Sequence, residues 1–296
     1  FSSSLASVTS AEEPEGLFDS VVGTVTLRVS DPGPMRDFYE HAVGLAVLCE
    51  SGAVTELGGV GEHPLVRLDS SRSAGADPVR SAHTGLFHTA FRYADRASLG
   101  TAVARTARHT RLFDGASDHG VSEAVYFTDP EGNGVELYRD RSFAEWPAGE
   151  PGRVGMFTLP LDLPALVAEA AEESAAEAPD IGHIHLRTAD SDRALDFWRG
   201  VVGLDERQRF GSQAVFLAEG LYHHHLGANS WQSAGASPAP RDSPGLDSFE
   251  LQLGCSGAID AAEERLEREE VAVERDGQRI SFRDPDENLV VLEPRG

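Results

Sequence analysis

One segment of this chain occurs twice. GTVTLRVSDPGPMRDFYEHAVGL, residues 23–45, aligns without a gap to GHIHLRTADSDRALDFWRGVVGL, residues 182–204. A duplication of this length constrains the fold more than composition can, because both copies must build the same supersecondary unit. Each reads as an alternating strand, a turn at Asp31 or Asp190, and a helix ending in a Gly-Leu stop. The apolar helix face carries Met35, Phe38 and Tyr39 in the first copy and Leu195, Phe197 and Trp198 in the second. Short strands follow both times.

A second, more divergent pair is interleaved with the first. GLFHTAFRYADRASLGTAVART, residues 85–106, opens a strand and a helix, and its segment closes with AVYFTDPEGNGVELY. Its partner opens with GLDSFELQLGCSGAIDAAEERL and closes with ISFRDPDENLVVLE. Asp-Pro and Asn supply turn chemistry between the last strands of both. DPEGN lacks the alternating oxygen ligands of a calcium loop, so a turn is its reading. The chain thus divides into four modules, near 21–71, 84–140, 181–231 and 245–294. A disordered lead is expected over residues 1–20, two modules over 21–140 and two over 181–296. Residues 141–180 link them, Pro- and Gly-rich at first and then LPALVAEAAEESAAEA, an acidic helix expected to strap the domain junction.

The 49 acidic residues face 25 basic ones, every one of them Arg, for a net charge of −24. Such a surface repels nucleic acid and anionic membranes. High intracellular salt is the leading explanation, and a coding bias for Arg in an ordinary acidic protein is the other. No run approaches the roughly 18 apolar residues of a membrane helix, and the first residues lack a signal peptide's basic start and apolar centre. Cytoplasmic location is the expectation. Cys49 and Cys255 have no CxxC spacing and read as small buried hydrophobes.

The stretch YHHHLGANSW, residues 222–231, reads as a strand. Alternation would then put His223 and His225 on one face and His224 on the other.

The module order, the DFY and DFW helices, DPEGNGVELY, GLYHHHLGANSW and SDHGVSEA resemble the vicinal oxygen chelate superfamily, the glyoxalase, bleomycin-resistance and extradiol dioxygenase group. The last two segments are similar to the catechol 2,3-dioxygenase type with four modules per chain. This resemblance covers nearly all of the chain after residue 20. It implies an α+β fold in which four βαβββ modules form two half-open, cup-shaped mixed sheets. Metal ligands would project inward from first and last strands.

Counting back seven residues from the Asp after each first strand reaches Thr24, His88 and His183, with Ser248 the nearest equivalent in module four. On the last strands Glu136 corresponds to Val291, and the repeat sets Val66 opposite His225. Modules two and three are therefore expected to face each other around one metal, with His88, Glu136, His183 and His225 as its candidate ligands. Imidazole and carboxylate suit Fe, Mn, Ni or Zn, and two His with one carboxylate is the set of non-haem Fe(II) oxygenases, which makes Fe(II) the favoured ion. His225 is either a fourth ligand or a substrate hydrogen-bonder. By resemblance, His119 handles protons during ring cleavage. His185, His223 and Tyr138 share faces with His183, His225 and Glu136 and are candidate substrate contacts.

The function these features imply is an extradiol dioxygenase acting on an aromatic vicinal diol and O2, as a monomer or homodimer without nucleic-acid or membrane partners. A glyoxalase-type lyase or isomerase using Ni, Zn or Mn, and a small-molecule binding or resistance protein, are the alternatives.

Overall fold

Asp31, Asp95 and Asp190, which follow three of the four first strands, each cap the next helix. Their carboxylates accept from the amides of Gly33 at 3.3 Å, Ser98 at 2.7 Å, and Asp192 and Arg193 at 2.9 and 3.2 Å. An N-cap carboxylate satisfies amides that the first helical turn leaves unpaired. The spacing from strand to Asp thus fixes where each helix begins.

The computed structural model describes residues 14, 16–17, 19, 21–59, 63–72, 83–170, 178–254 and 256–295. Module one contains β1 (Val22–Arg28), α1 (Pro32–Asp37), β2 (Ala46–Ser51), β3 (Val54–Gly58) and β4 (Pro64–Asp69). Module two contains β5 (Gly85–Arg92), α2 (Arg96–His109), β6 (Phe113–Asp118), β7 (Ser122–Thr128) and β8 (Gly134–Asp140). The link holds β9 (Leu159–Pro160) and α3 (Leu163–Ala168). Module three contains β10 (Asp180–Arg187), α4 (Ser191–Phe197), β11 (Asp205–Phe210), β12 (Ala214–Ala218) and β13 (Leu226–Asn229). Module four contains β14 (Gly245–Leu253), α5 (Ser256–Arg268), β15 (Glu274–Asp276), β16 (Arg279–Arg283) and β17 (Leu289–Pro294).

The modules pair two with three and one with four. One sheet runs β11-β12-β13-β10-β5-β8-β7-β6-β9 and the other β15-β16-β17-β14-β1-β4-β3-β2. Helices cross-link the opposite way, so neither sheet stands alone. Arg105 and Thr106 of α2 donate to the carbonyls of Ala42 and Val43 in module one, and Arg265 of α5 donates to those of Val201 and Val202 in module three. One apolar core, from Val25 and Tyr39 through Phe91 and Trp198 to Phe249 and Leu292, runs through all four modules.

The shared motifs fold alike. α1 and α4 each continue into a π-helical turn, Phe38–Val43 and Trp198–Val202, closed by Gly44 at φ 93° and Gly203 at φ 102°. Glycine adopts this left-handed conformation without steric cost, which explains the Gly-Leu stop. In DPEGN, Asp129 accepts from the amides of Glu131 and Asn133 and from the Asn133 side chain. Asp284 repeats those bonds with Asp286 and Asn288.

Three expectations change. Cys49 is exposed, because β2 is an edge strand with mostly exposed side chains, and Cys255 lies outside the described residues. The linker helix packs on α2 of module two. Gly100 allows that approach, since a Cβ there would come within 2.5 Å of the Leu166 carbonyl. Residues 171–177 of the acidic stretch, and most of the lead, lie outside the described residues. Finally, the strand expected over 222–231 begins only at Leu226. Among the described residues no helix is long and apolar enough to cross a membrane.

Candidate metal centre

His183 on β10, Ala90 on β5 and Glu136 on β8 stand side by side across three adjacent strands. Strands lie about 4.8 Å apart, so the two outer side chains are separated by one strand. Ala90 is fully buried and small, and it leaves that gap open. His88 lies two residues along β5 and shares the face of Ala90. Into this space converge His88 Nε2, 2.9 Å from Glu136 Oε2, and His183 Nε2, 3.3 Å from the same oxygen. The three donors lie within 4.8 Å of one another, and all three residues are buried.

Burial opposes ionisation of Glu136, but its interactions with the adjacent His183 and His88 outweigh it and hold the carboxyl well below its usual range. Burial pushes His183 down to about 4, so its imidazole is neutral at neutral pH, and its Nε2, which donates to Glu136, would give up that proton on binding a metal. His88 Nε2 is buried and, despite its closeness to Glu136, forms no hydrogen bond. An anionic oxygen, a neutral imidazole and an unpartnered buried nitrogen aimed at one point fit a divalent transition metal. The only other such cluster among the described residues, Asp37, Glu40 and His41, is largely exposed.

A cavity of about 280 Å³ opens above these three residues. Phe87, Met156, Phe216 and Trp231 give it apolar walls, and His185, His119 and Tyr126 also line it. His185 is fixed by Asn229, whose amide lies 2.9 Å from its Nε2. His119 Nδ1 lies 2.9 Å from the Phe157 carbonyl, an acceptor only, so Nδ1 carries the proton. Its Nε2 accepts from the Tyr126 hydroxyl at 2.8 Å, and burial, with the nearby Glu136 carboxylate, raises the pKa of that hydroxyl. Sequence reading missed Tyr126. The signal was present, because closing DPEGN as a tight hairpin sets Tyr126 directly opposite Glu136.

The triple histidine is arranged otherwise than expected. His224, not His225, lines the cavity, with its ring centroid 4.2 Å from that of His183. His225 stays outside the three-donor cluster, stacked on Tyr222 at 4.7 Å, and its Nδ1 accepts from the Glu219 amide. The physical reason is register. β10 pairs with β13 so that His185 faces Gly227, whereas β5 pairs with β8 so that Ala90 faces Glu136. Since His185 and Ala90 are equivalent, Gly227 holds the position of Glu136, and His225 falls two residues short, at a bend before the strand. A Cβ at Gly227 would come within 2.7 Å of the His185 ring, so the missing side chain makes room for that imidazole.

His223 and Tyr138 also lie away from the cavity, in a buried polar network beneath it. His223 Nε2 is 2.8 Å from Asp140 Oδ1, and the Tyr222 hydroxyl donates to Asp140 Oδ2 at 2.8 Å. Tyr138 meets Tyr222 hydroxyl to hydroxyl at 2.7 Å. Tyr138 does share the face of Glu136, but at an end of the cup that Tyr222 fills.

In the other sheet, Thr24, Ser248 and Val291 take the ligand positions, as the repeat indicated. Arg279 bridges Glu250 and Glu293 there by ion pairs. Those carboxylates are spoken for.

The model of the Glyoxalase/Bleomycin resistance protein/Dioxygenase superfamily matches residues 21–137 and 180–292. A protein named catechol-2,3-dioxygenase from Bacillus subtilis (strain 168) is 34% identical over 271 residues, covering 90% of this chain and 94% of the relative. Glyoxalase I from Zea mays has the same fold, with a TM-score of 0.58 at 15% identity over 93% of this chain and 92% of that one. A solved structure from Bacillus subtilis subsp. subtilis str. 168 superimposes with a TM-score of 0.60 at 16% identity, covering 94% of this chain and 87% of that one. The family model matches the chain twice and covers more than half of it, and by that match the chain belongs to the glyoxalase, bleomycin-resistance and dioxygenase superfamily.

Proposed function

We propose that the chain is a metal-dependent extradiol dioxygenase that opens the ring of a catechol-like diol. The observation that carries this reading is the convergence of His88, Glu136 and His183 at the floor of an aromatic-walled cavity with His119 in its wall. These three residues would hold one divalent transition metal, Fe(II) by preference and otherwise Mn, Ni or Zn. When bound, that ion supplies the Lewis acidity and redox chemistry that bring diol and O2 together. Similarity to the named catechol-2,3-dioxygenase supports the substrate class.

The chain's own residues do the remaining work. A cavity of roughly 150 Å³ holds benzene, so about 280 Å³ suits one substituted ring. Phe87, Phe216 and Trp231 present faces and edges for that ring to pack against, and they exclude water from the reacting oxygens. His119 Nε2 is a proton acceptor, and its ring is held in that tautomer by the Phe157 carbonyl. The Tyr126 hydroxyl donates its proton to His119 Nε2 in this tautomer. A proton taken up at Nε2 therefore displaces that bond, and its release restores it.

The test is anaerobic loading with Fe(II), then addition of catechols followed by O2. A yellow ring-fission product is expected. Silence there, with turnover of a hemithioacetal, would reassign the site to glyoxalase-type chemistry.

A further inference from the structure

The two sheets repeat one another along their central antiparallel strand pairs. In one, Leu27 faces Leu246 and Arg28 faces Gly245; in the other, Leu186 faces Leu86 and Arg187 faces Gly85. Each pairing then skips one bulged residue, Asp247 on β14 and Phe87 on β5. Asp247 is the ion-pair partner of Arg28, whose guanidinium also donates to the carbonyls of Ser243 at 2.9 Å and Leu246 at 2.7 Å. Phe87 carries no charge and turns its ring to His185 and Trp231. The repeat therefore keeps the arginine and drops its counter-ion. Among the described residues no carboxylate pairs with Arg187, and its Nε is buried without a hydrogen-bond partner.

Arg187 lines a cleft of about 230 Å³ where the two sheets meet, together with Arg28, Arg283, Asn133 and Asn288. The acidic groups of that cleft are already engaged. Asp247 holds Arg28, Glu287 holds Arg241, Asp286 accepts from Thr188, Ala189 and Arg193, and Glu131 accepts from the amides of Ser30 and Asp31. Gly85, at φ 134°, has nothing within 4 Å of where a Cβ would stand, so the wall beside Arg187 is open. A half-buried guanidinium without a partner is costly unless an anion completes it.

We propose that this cleft binds a small oxyanion, a carboxylate or phosphate group, on Arg187. Planar guanidinium matches either group with two parallel hydrogen bonds. On a chain of net charge −24 the cleft is a local excess of cations, so selection comes from the cleft and not from the overall field. The metal cavity lies on other side chains and needs no anion from this site.

Inorganic phosphate and succinate are titrated separately by calorimetry at fixed ionic strength in chloride, against wild type and Arg187→Met. The expected result is saturable binding to wild type that weakens about tenfold or more in the variant, the scale of a charge-assisted pair. Binding of phosphate alone or succinate alone would identify which anion the site takes. No heat with either, or equal binding to both proteins, overturns the proposal. Should Arg187→Met not fold, phenylglyoxal labelling of wild type decides: phosphate or succinate must protect Arg187, and labelling unchanged by both overturns it.

Discussion

The ring of His224 lies 4.2 Å, centroid to centroid, from that of His183, whereas His225, one residue on, stacks on Tyr222. The two histidines should therefore respond differently to substitution. His225→Gln is expected to retain one metal per chain after reconstitution. His224→Ala, which removes a wall against a proposed ligand, should weaken metal affinity by about 10–100-fold, the usual scale for groups that orient ligands. His88→Ala, Glu136→Ala and His183→Ala should each abolish stoichiometric binding. Metal analysis after gel filtration checks all five, and loss of metal in His225→Gln would restore His225 to the ligand set.

His119 and Tyr126 are expected to matter for rate and not for metal. His119→Gln keeps a hydrogen-bonding side chain but no titratable nitrogen, and should lower kcat by about 10²–10⁴-fold with metal content unchanged. Tyr126→Phe should cost less, because the cavity keeps its ring. Steady-state kinetics on metal-quantified protein separate the two effects.

Trp231 stands at the cavity mouth, 46% exposed, with its ring edge-on to Phe87. Trp231→Ala should raise KM for single-ring diols by about 10-fold while leaving kcat within a few-fold, the signature of lost uniform binding. It should also improve the relative use of diols with bulkier ring substituents.

Burial raises Asp129 to about 6 and Asp284 to about 7 in their turns. An unfolded Asp titrates near 3.9. Between about pH 4 and 7 the folded chain therefore holds more protons at these sites than the unfolded one, and by linkage their contribution to stability is present below pH 4 and lost as pH rises through 6 to 7. Asp284→Asn should flatten that part of the stability curve. Chemical denaturation at pH 4.5, 5.5, 6.5 and 7.5 gives the difference directly.

A net charge of −24 carries self-repulsion that salt screens. The melting temperature is expected to rise with KCl. A flat response would leave the Arg-only composition to coding bias.

Much of this architecture was legible because duplication supplies an internal ruler. The Asp that caps the helix in three of the four modules, seven residues after the first-strand position, pointed to His88 and His183, and the DPEGN and DPDEN turns pointed to Glu136 and its empty counterpart Val291. What misled was the other end of module three. Counting along the repeat sets Val66 opposite His225, but strand register sets Val66 level with Leu226 and Gly227 level with Glu136. A bend with no regular alternation cannot be read by period two, so His224 took the inward place that His225 was expected to hold. Tyr138 and His223 were placed by face alone, which says nothing about depth along the cup.

The pairing of modules also sets an order of assembly. The sheet with the candidate ligands draws on neighbouring central modules, while its companion joins β1 to β14, more than 200 residues away. During synthesis module one waits, its β1 edge unsatisfied, for a partner made last, and because α5 of module four bonds the Val201 and Val202 carbonyls of module three, the sheet with the candidate ligands is also braced only when that last module has joined.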